Sequence, residues 1–196
     1  MGIEQPPKYY DDIFATSQAY NDPAPGEPGG LWERIAHTAL NTERQTIYDF
    51  GCGPGQICQI LYRDGFTGFY RGVDFSTVAV NNAKQRNMKS LNASFTVADI
   101  TTMDVGEFIT DPHHSTIIST EFLEHVHNDL EFMAAIPAGV RLVLTVPTFD
   151  DPGHVRCFPT TEEVVARYGP YIDNLELLFL PEDKCYIFAG TKKETQ

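Results

Sequence analysis

Short apolar runs recur along the chain, and the stretches between the early ones carry apolar residues at helical spacing. Runs of this length that are rich in β-branched and aromatic residues predict β-strands. Because strands that alternate with helices favour a mostly parallel sheet covered on both faces, we expect an α/β fold, a three-layer sandwich around a seven-stranded, mostly parallel sheet. The predicted strands are TIYDF, FYRGVD, SFTVAD, STIIST, VRLVLTV, LELLFL and CYIFAG.

Capping signals and apolar spacing predict several helices. Ser76 is a suitable N-cap for a helix that runs through Lys84. Thr160 and Glu163 have the spacing of a capping box ahead of a further helix. Three other stretches place apolar residues on one helix face. These are Leu31, Ile35, Ala36, Ala39 and Leu40, then Ile57, Ile60 and Leu61, then Leu130, Met133 and Ala134.

Residues 1–30 differ in composition from the rest of the chain. They end in the stretch NDPAPGEPGG, which cannot continue a helix or a central strand. The length of 196 residues suits one domain with a substantial core. We therefore expect an N-terminal arm and loop over residues 1–30 and a single domain over residues 31–196. Tyr9, Tyr10 and Tyr20 give the arm aromatic surface that could cover a ligand as a lid or simply pack.

Composition argues against nucleic acid and membrane partners and favours a cytoplasmic location. The formal net charge of −13 repels a phosphate backbone, so a nucleic acid partner is disfavoured. No apolar stretch reaches the roughly 20 residues needed to cross a bilayer. The start MGIEQPPKYY lacks the basic and apolar regions of a secretion signal, so we expect cytoplasmic residence and no membrane partner. The four cysteines form no C-x-x-C pair, which indicates reduced thiols.

The stretch IYDFGCGPGQI places glycines directly between a predicted strand and a predicted helix. Gly51, Gly53 and Gly55 allow a tight turn and a close approach of a ligand to the backbone. The dinucleotide fingerprint G-x-G-x-x-G would need glycine where the chain has Gln56, which argues against a nicotinamide enzyme. Asp49, just ahead of the turn, favours a ligand with a positively charged amine. We therefore expect a cationic cofactor at this turn.

The motif D-F-G-C-G-P-G resembles the first motif of class I S-adenosylmethionine-dependent methyltransferases, and later motifs follow in that family's order. The resemblance implies the Rossmann-like methyltransferase fold, with the last two strands as an antiparallel hairpin, and S-adenosylmethionine as cofactor. It implies that Asp74 binds the ribose hydroxyls, that Phe75 lies beside the adenine and that Asp99 faces the adenine amino group. The cofactor-binding residues that it implies are Asp49, Gly51, Cys52, Gly53, Gly55, Asp74, Phe75, Asp99, Ile100 and Thr120.

A second group of polar residues follows the fourth and fifth predicted strands. Glu121, Glu124 and His125 would share one face if a helical turn follows the fourth strand. His154 follows the fifth strand, the expected neighbour in the sheet. Two carboxylates and two imidazoles suit one divalent metal ion that could grip and acidify substrate hydroxyls. If a hydroxyl acceptor must lose a proton, His125 and His154 are the candidate catalytic bases.

The E-x-x-E-H pattern with a later histidine resembles the metal site of enzymes that methylate the terminal ribose 2′-hydroxyl of small RNAs. It is also similar to ubiquinone-pathway O-methyltransferases. A purely structural role stays open, in which L-E-H-V caps a loop while His154 and Arg156 organise a turn. Arg156 could also contact a carboxylate or phosphate of a substrate.

The sequence therefore predicts an S-adenosylmethionine-dependent methyltransferase that acts on oxygen or nitrogen of a small-molecule acceptor. Metal-assisted 2′-O-methylation of RNA ends is the alternative, although the negative net charge opposes an RNA ligand. A noncatalytic cofactor-binding regulator is a third hypothesis. The identity of the acceptor and the oligomeric state are left open by the sequence.

Overall fold

The computed structural model describes residues 2–17, 30–40 and 44–194. Within these ranges, strands and helices alternate along most of the chain. The strands are β1 (Thr46–Phe50), β2 (Phe69–Asp74), β3 (Ala93–Val97), β4 (Ser115–Ser119), β5 (Arg141–Pro147), β6 (Ile172–Leu180) and β7 (Cys185–Lys192). The helices are α1 (Pro7–Thr16), α2 (Leu31–Ala39), α3 (Gln56–Arg63), α4 (Thr77–Arg86), α5 (Val105–Phe108), α6 (Asp129–Ala135) and α7 (Thr161–Tyr168). Short 3₁₀ helices span Pro112–His114 and Gly169–Tyr171.

All seven strands join one sheet in the order β3-β2-β1-β4-β5-β7-β6. The strands β1 to β5 pair in parallel, whereas β7 is antiparallel to both β5 and β6. The chain builds outward from β1 to β3 and then returns to place β4 on the other side of β1. The strand order thus reverses between β1 and β4, and the carboxyl ends of strands at such a point form the usual ligand crevice of open α/β sheets.

Apolar residues cover both faces of the sheet. Tyr48 of β1 belongs to a core cluster that includes Phe132 of α6. The preceding residue, Ile47, belongs to the opposite cluster, together with Ile35 of α2 and Leu61 of α3. Successive side chains of a strand point to opposite faces, so a parallel strand that is buried on both sides needs a nearly continuous apolar run. This is why TIYDF lacks the alternating pattern of a half-exposed strand.

The predicted sheet, its mostly parallel character and the antiparallel β6–β7 hairpin are confirmed. The Ser76 hydroxyl caps α4 by accepting a hydrogen bond from the Ala79 amide at 3.1 Å. Thr160 and Glu163 form the predicted capping box of α7. The helix α1 was not predicted, because charged residues interrupt its short apolar pattern; its buried residue is Phe14. The separation of residues 1–30 from the domain stays a prediction, and Tyr20 lies outside the described residues.

None of the described helices has the length and apolar character that crossing a bilayer requires. All four cysteines are free thiols, as expected from their spacing.

The carboxylate of Asp129 at the start of α6 links two arginines and a tyrosine. It is fully buried and accepts hydrogen bonds from Nε and Nη2 of Arg167, both at 2.7 Å. It also accepts from the Tyr168 hydroxyl at 2.8 Å and pairs with Arg156 at 3.1 Å. This network ties α6 to α7 and to the segment after β5.

We expect the substitution Asp129→Ala to lower the free energy of unfolding by about 3 kcal/mol, because it leaves two arginines without their buried counter-charge. Urea denaturation followed by circular dichroism would measure the loss. Glu131→Gln, at an exposed position of the same helix, is the control and should change stability by less than about 0.5 kcal/mol. Equal stability of the two variants would contradict the role of the network.

Candidate functional site

A cavity of about 1200 Å³ opens where the strand order reverses. Its walls come from the turn after β1, the segments after β2, β3, β4 and β5, the β6–β7 turn, and α1. Binding pockets for small molecules usually measure about 300–1,000 Å³. The cavity therefore has room for a nucleoside-sized cofactor and a small acceptor at the same time.

The glycine turn after β1 forms one wall of the cavity. Gly51, Gly53 and Gly55 have φ angles of +79°, +50° and +77°, in the left-handed region that side-chain-bearing residues avoid. The amides of Gly51 and Cys52 donate to the Val73 carbonyl of β2 at 2.9 and 3.1 Å. These bonds hold the turn against the neighbouring strand and leave its outer surface facing the cavity.

Two buried aspartates lie under and beside this turn. Asp49 accepts a short hydrogen bond from the Tyr70 hydroxyl, while its second oxygen, Oδ1, is buried without a hydrogen-bond partner. Burial raises the pKa of Asp49 to about 7. Asp74 lines the cavity and accepts from the amides of Gly53 at 2.9 Å and Ser76 at 2.8 Å. Burial raises the pKa of Asp74 to about 6, despite these two bonds.

Further predicted cofactor residues line the same cavity at the ends of β2, β3 and β4. Phe75 packs against Tyr10, with ring centroids 5.2 Å apart. Asp99 follows β3 and accepts from the amide and hydroxyl of Thr101 at 2.9 and 2.7 Å. Ile100 is buried beside it. The Thr120 hydroxyl, directly after β4, is buried without a hydrogen-bond partner.

The segment of residues 2–17 covers the cavity, which the sequence suggested only through its tyrosines. The Tyr10 hydroxyl lies 3.0 Å from Nδ1 of His125. Asp11 accepts from the Ser76 hydroxyl at 2.5 Å and from the Val78 amide at 3.2 Å, at the start of α4. The spacing of Tyr10, Ile13 and Phe14 is the apolar signal that could have revealed α1, since all three line the cavity.

Three predicted metal ligands meet at the far end of the cavity. The candidate ligand atoms of Glu124, His125 and His154 all lie within 4.8 Å of one another. Glu124 is fully buried, and neither of its carboxylate oxygens accepts a hydrogen bond from an N–H or O–H donor among the described residues. Burial, followed by the nearby Glu121 carboxylate, raises the pKa of Glu124 well above its usual range. A cation would relieve both effects.

The two histidines have the orientation of metal ligands. Nδ1 of His125 lies 2.9 Å from the Gly153 carbonyl, and Nδ1 of His154 lies 3.1 Å from the Phe149 carbonyl. An imidazole that donates its Nδ1 proton to a carbonyl keeps a lone pair on Nε2, which is the usual arrangement of a metal-binding histidine. Burial lowers the pKa of His125, which further favours the neutral ring. Its Nε2 lies 3.9 Å from Oε1 of Glu124.

Glu121 interacts with Glu124 but lies outside the group of ligand atoms that are within 4.8 Å of one another, and the helical turn expected after β4 does not form. Residues 121–125 make an irregular turn in which Glu121 has a φ angle of +50°. Its amide donates to the Thr145 hydroxyl at 3.0 Å, and this bond turns the chain away from the line of β4. The Glu121 side chain lines the cavity beside the cluster, and desolvation raises its pKa. The expectation that it shares a helix face with Glu124 and His125 is therefore wrong.

Arg156 supports the turn from behind and does not line the cavity. Its guanidinium donates to the carbonyls of Leu123, Val126 and His127 and pairs with Asp129. Of the two roles open to Arg156 in the sequence, the structure shows the internal one. These bonds hold the backbone that carries Glu124 and His125.

Comparison with known proteins gives the family. The model of the methyltransferase domain family matches residues 41–146, more than half of the chain. The chain belongs to the methyltransferase domain family. It is an S-adenosylmethionine-dependent methyltransferase with the class I, Rossmann-like fold. A search of curated proteins found no match.

Solved structures with the same fold include enzymes of varied chemistry. Magnesium protoporphyrin IX methyltransferase from Synechocystis PCC 6803, with bound S-adenosylmethionine, is 14% identical with a TM-score of 0.63, over 95% of this chain and 97% of that chain. The 1,6-didemethyltoxoflavin-N1-methyltransferase from Burkholderia thailandensis, with bound S-adenosylhomocysteine, is 13% identical with a TM-score of 0.69, over 96% and 87%. The [4+2]-cyclase SpnF is 14% identical with a TM-score of 0.72, over 100% of both chains. At these identities the likeness shows the fold alone.

The methyltransferase brings most of its predicted cofactor residues to one cavity. Two of them lie behind the glycine turn and do not line it, namely Asp49 and Gly55. Gly55 instead permits the close packing of α3 on α4, because a Cβ there would lie 2.7 Å from Nδ2 of Asn87. The residues that line the cavity are Gly51, Cys52, Gly53, Asp74, Phe75, Asp99, Ile100 and Thr120.

We expect Gly55→Ala to destabilise the fold and to weaken binding of S-adenosylhomocysteine, because the new methyl group would displace Asn87 and shift the turn. The matched control is Gly65→Ala, which also has a positive φ angle, +97°, but has open space around its Cβ position. The control should cost only the backbone strain of about 1–2 kcal/mol and should keep cofactor affinity. Urea unfolding and isothermal titration would separate the two effects. A Gly55 variant that matches the control in both measurements would contradict this account of the turn.

Proposed function

We propose that this methyltransferase methylates a hydroxyl oxygen of a small molecule, with a divalent metal held by Glu124, His125 and His154. The observation that carries the proposal is the fully buried Glu124 carboxylate, which accepts no hydrogen bond from an N–H or O–H donor among the described residues and has ligand atoms of His125 and His154 within 4.8 Å. An oxygen acceptor needs to lose a proton, whereas many nitrogen acceptors do not, so such a centre favours oxygen.

The residues around the glycine turn fit S-adenosylmethionine. The ionised Asp49 carboxylate, buried behind the turn, would attract the cofactor's ammonium group across the turn without direct contact. The Asp74 carboxylate suits the ribose hydroxyls, and Phe75, Asp99 and Ile100 suit the adenine. The unpartnered Thr120 hydroxyl suits the methionine end. When bound, the cofactor supplies a methyl group on a positively charged sulfur.

The metal-binding role fits the donor set, because one carboxylate and two imidazoles suit several divalent cations. A cation bound there would hold the acceptor oxygen and lower the pKa of its hydroxyl. With both imidazoles engaged, the Glu121 carboxylate, which lines the cavity beside the cluster, would accept the acceptor's proton.

The α1 helix completes the arrangement by excluding water. Tyr10 contacts both Phe75 and His125, and so bridges the cofactor end and the metal end of the cavity. Phe14 lies against Gly53, where a Cβ would be 3.8 Å from its ring. Alignment of donor and acceptor supplies most of the rate in such a displacement, and a closed, dry cavity preserves that alignment.

The metal centre can be tested apart from catalysis by titrating Mn²⁺ into the metal-free protein. We expect one calorimetrically detected site that is lost in Glu124→Gln and in His154→Ala. His37→Ala is the matched control, because Glu33, His37 and Asp64 form the other histidine–carboxylate group among the described residues. Mn²⁺ binding that survives both cluster substitutions, or that is lost in the control, would overturn the assignment.

Turnover tests the reaction class. Methyl transfer to hydroxyl-bearing small molecules should fall on treatment with EDTA and return with Mg²⁺. Methylation of RNA ends would favour the alternative that the sequence left open, and cofactor binding without any transfer would favour a regulator. Either result would overturn the proposal.

Cofactor affinity should depend on pH through Asp49. Because burial raises the pKa of Asp49 to about 7, the free protein is partly protonated there at neutral pH. The ammonium group of S-adenosylhomocysteine favours the ionised form, so binding should tighten as the pH rises from about 6 and level off above about 7.5, by up to about tenfold per pH unit.

Asp49→Asn should bind more weakly at high pH, and its affinity should lose the change near pH 7 and keep only the change near pH 6 that Asp74 contributes. A raised carboxyl pKa means that the stability linked to the protonated group is present at low pH and is lost as the pH rises through about 7. The variant should therefore be no less stable than the parent at about pH 8, which separates weak binding from unfolding. An unchanged pH profile in the variant would contradict the role of Asp49.

A further inference from the structure

The charged side chains that line the cavity are mainly acidic. Among the described residues that line it there is no lysine or arginine. The seven carboxylates are those of Glu4, Asp74, Asp99, Glu121, Asp151, Glu182 and Asp183. To these the structure adds the buried, unpartnered carboxylate of Glu124 behind the histidines.

The cofactor and the proposed metal account for only part of this charge. Asp74 and Asp99 belong to the cofactor end, and a divalent cation would offset Glu121 and Glu124. Four carboxylates remain around the other end, on three separate segments. They are Glu4 ahead of α1, Asp151 after β5, and Glu182 and Asp183 on the β6–β7 turn.

These acidic groups are held in place by backbone contacts. The carboxylate of Glu4 accepts from the His127 amide at 3.1 Å, and that of Asp151 accepts from the Gly153 amide at 3.4 Å. The β6–β7 turn is tied to the end of β5, because the Thr148 amide and hydroxyl donate to the Lys184 carbonyl at 2.8 and 2.9 Å.

Two basic side chains on elements around the cavity form ion pairs outside it. Lys8 pairs with Asp12 at 3.1 Å on the exposed side of α1. Arg156 pairs with Asp129 behind the turn. The cavity also carries aromatic rings, from Tyr9, Trp32, Phe122 and Phe149. Acidic groups and aromatic faces together attract organic cations and repel carboxylates and phosphates.

We propose that the acceptor is a positively charged, amine-bearing aromatic molecule with a hydroxyl group, and that Glu182 and Asp183 select it. This inference rests on the proposed function. The remaining carboxylates of Glu4, Asp151, Glu182 and Asp183 would attract the amine of the acceptor. Its hydroxyl would lie at the proposed metal site. The same charge would exclude acceptors that carry a carboxylate or a phosphate, including RNA.

Matched acceptor pairs test the charge without requiring turnover. The protein is saturated with S-adenosylhomocysteine and Mg²⁺ at low ionic strength, and the binding of tyramine is compared with that of 4-hydroxyphenylacetate. The pair dopamine and 3,4-dihydroxyphenylacetate repeats the comparison with a second hydroxyl. We expect the amine of each pair to bind roughly tenfold more tightly than the acid, with the gap shrinking as salt is added.

The double substitution Glu182→Gln with Asp183→Asn should reduce this preference to less than roughly threefold and leave S-adenosylhomocysteine affinity unchanged. The control Glu131→Gln with Glu162→Gln removes the same charge at exposed positions of α6 and α7 and should leave the preference intact. Tighter binding of either acid, no binding of either amine, or an unchanged preference in the double variant would overturn the inference. The Mn²⁺ titration and the turnover assay would still stand, so failure here is distinct from failure of the proposed function.

Discussion

Buried carboxylate oxygens that no donor reaches are costly in any protein, and this methyltransferase holds several of them beside one cleft. Oδ1 of Asp49 lies behind the glycine turn, and both oxygens of Glu124 lie behind the histidines. Desolvation raises the pKa of both groups, so the unliganded cleft stores unfavourable energy when they are ionised. A cationic cofactor and a metal ion would each relieve part of that cost, which links affinity for cations to the stability of the fold.

The sheet makes this arrangement possible. Because the strand order reverses between β1 and β4, the turns after these strands open away from each other and leave a crevice between them. Both faces of the sheet are covered by apolar clusters that fix the strand ends. Arg156 and Asp129 then hold the turn after β4 from behind, at a distance from the cavity. Part of the support of the site thus comes from residues that do not line the cavity.

The helix α1 joins the two ends of the cleft. Tyr10 reaches Phe75 at the cofactor end and His125 at the metal end, while Asp11 bonds to the start of α4. These contacts connect the cofactor residues to the proposed metal ligands.

Local patterns were enough to predict the strands, the α4 and α7 caps and the glycine turn, because each depends on neighbours within a few residues. The apolar runs and Gly51, Gly53 and Gly55 encode their conformations directly. Contacts between distant segments could not be read in this way. The meeting of His154 with Glu124, the departure of Glu121 through its positive φ angle, and the acidic rim from Glu4 to Asp183 all depend on how strand ends and turns assemble. These contacts between distant segments depend on the packing of the whole core. They determine which charged side chains line the cleft and what shape it has.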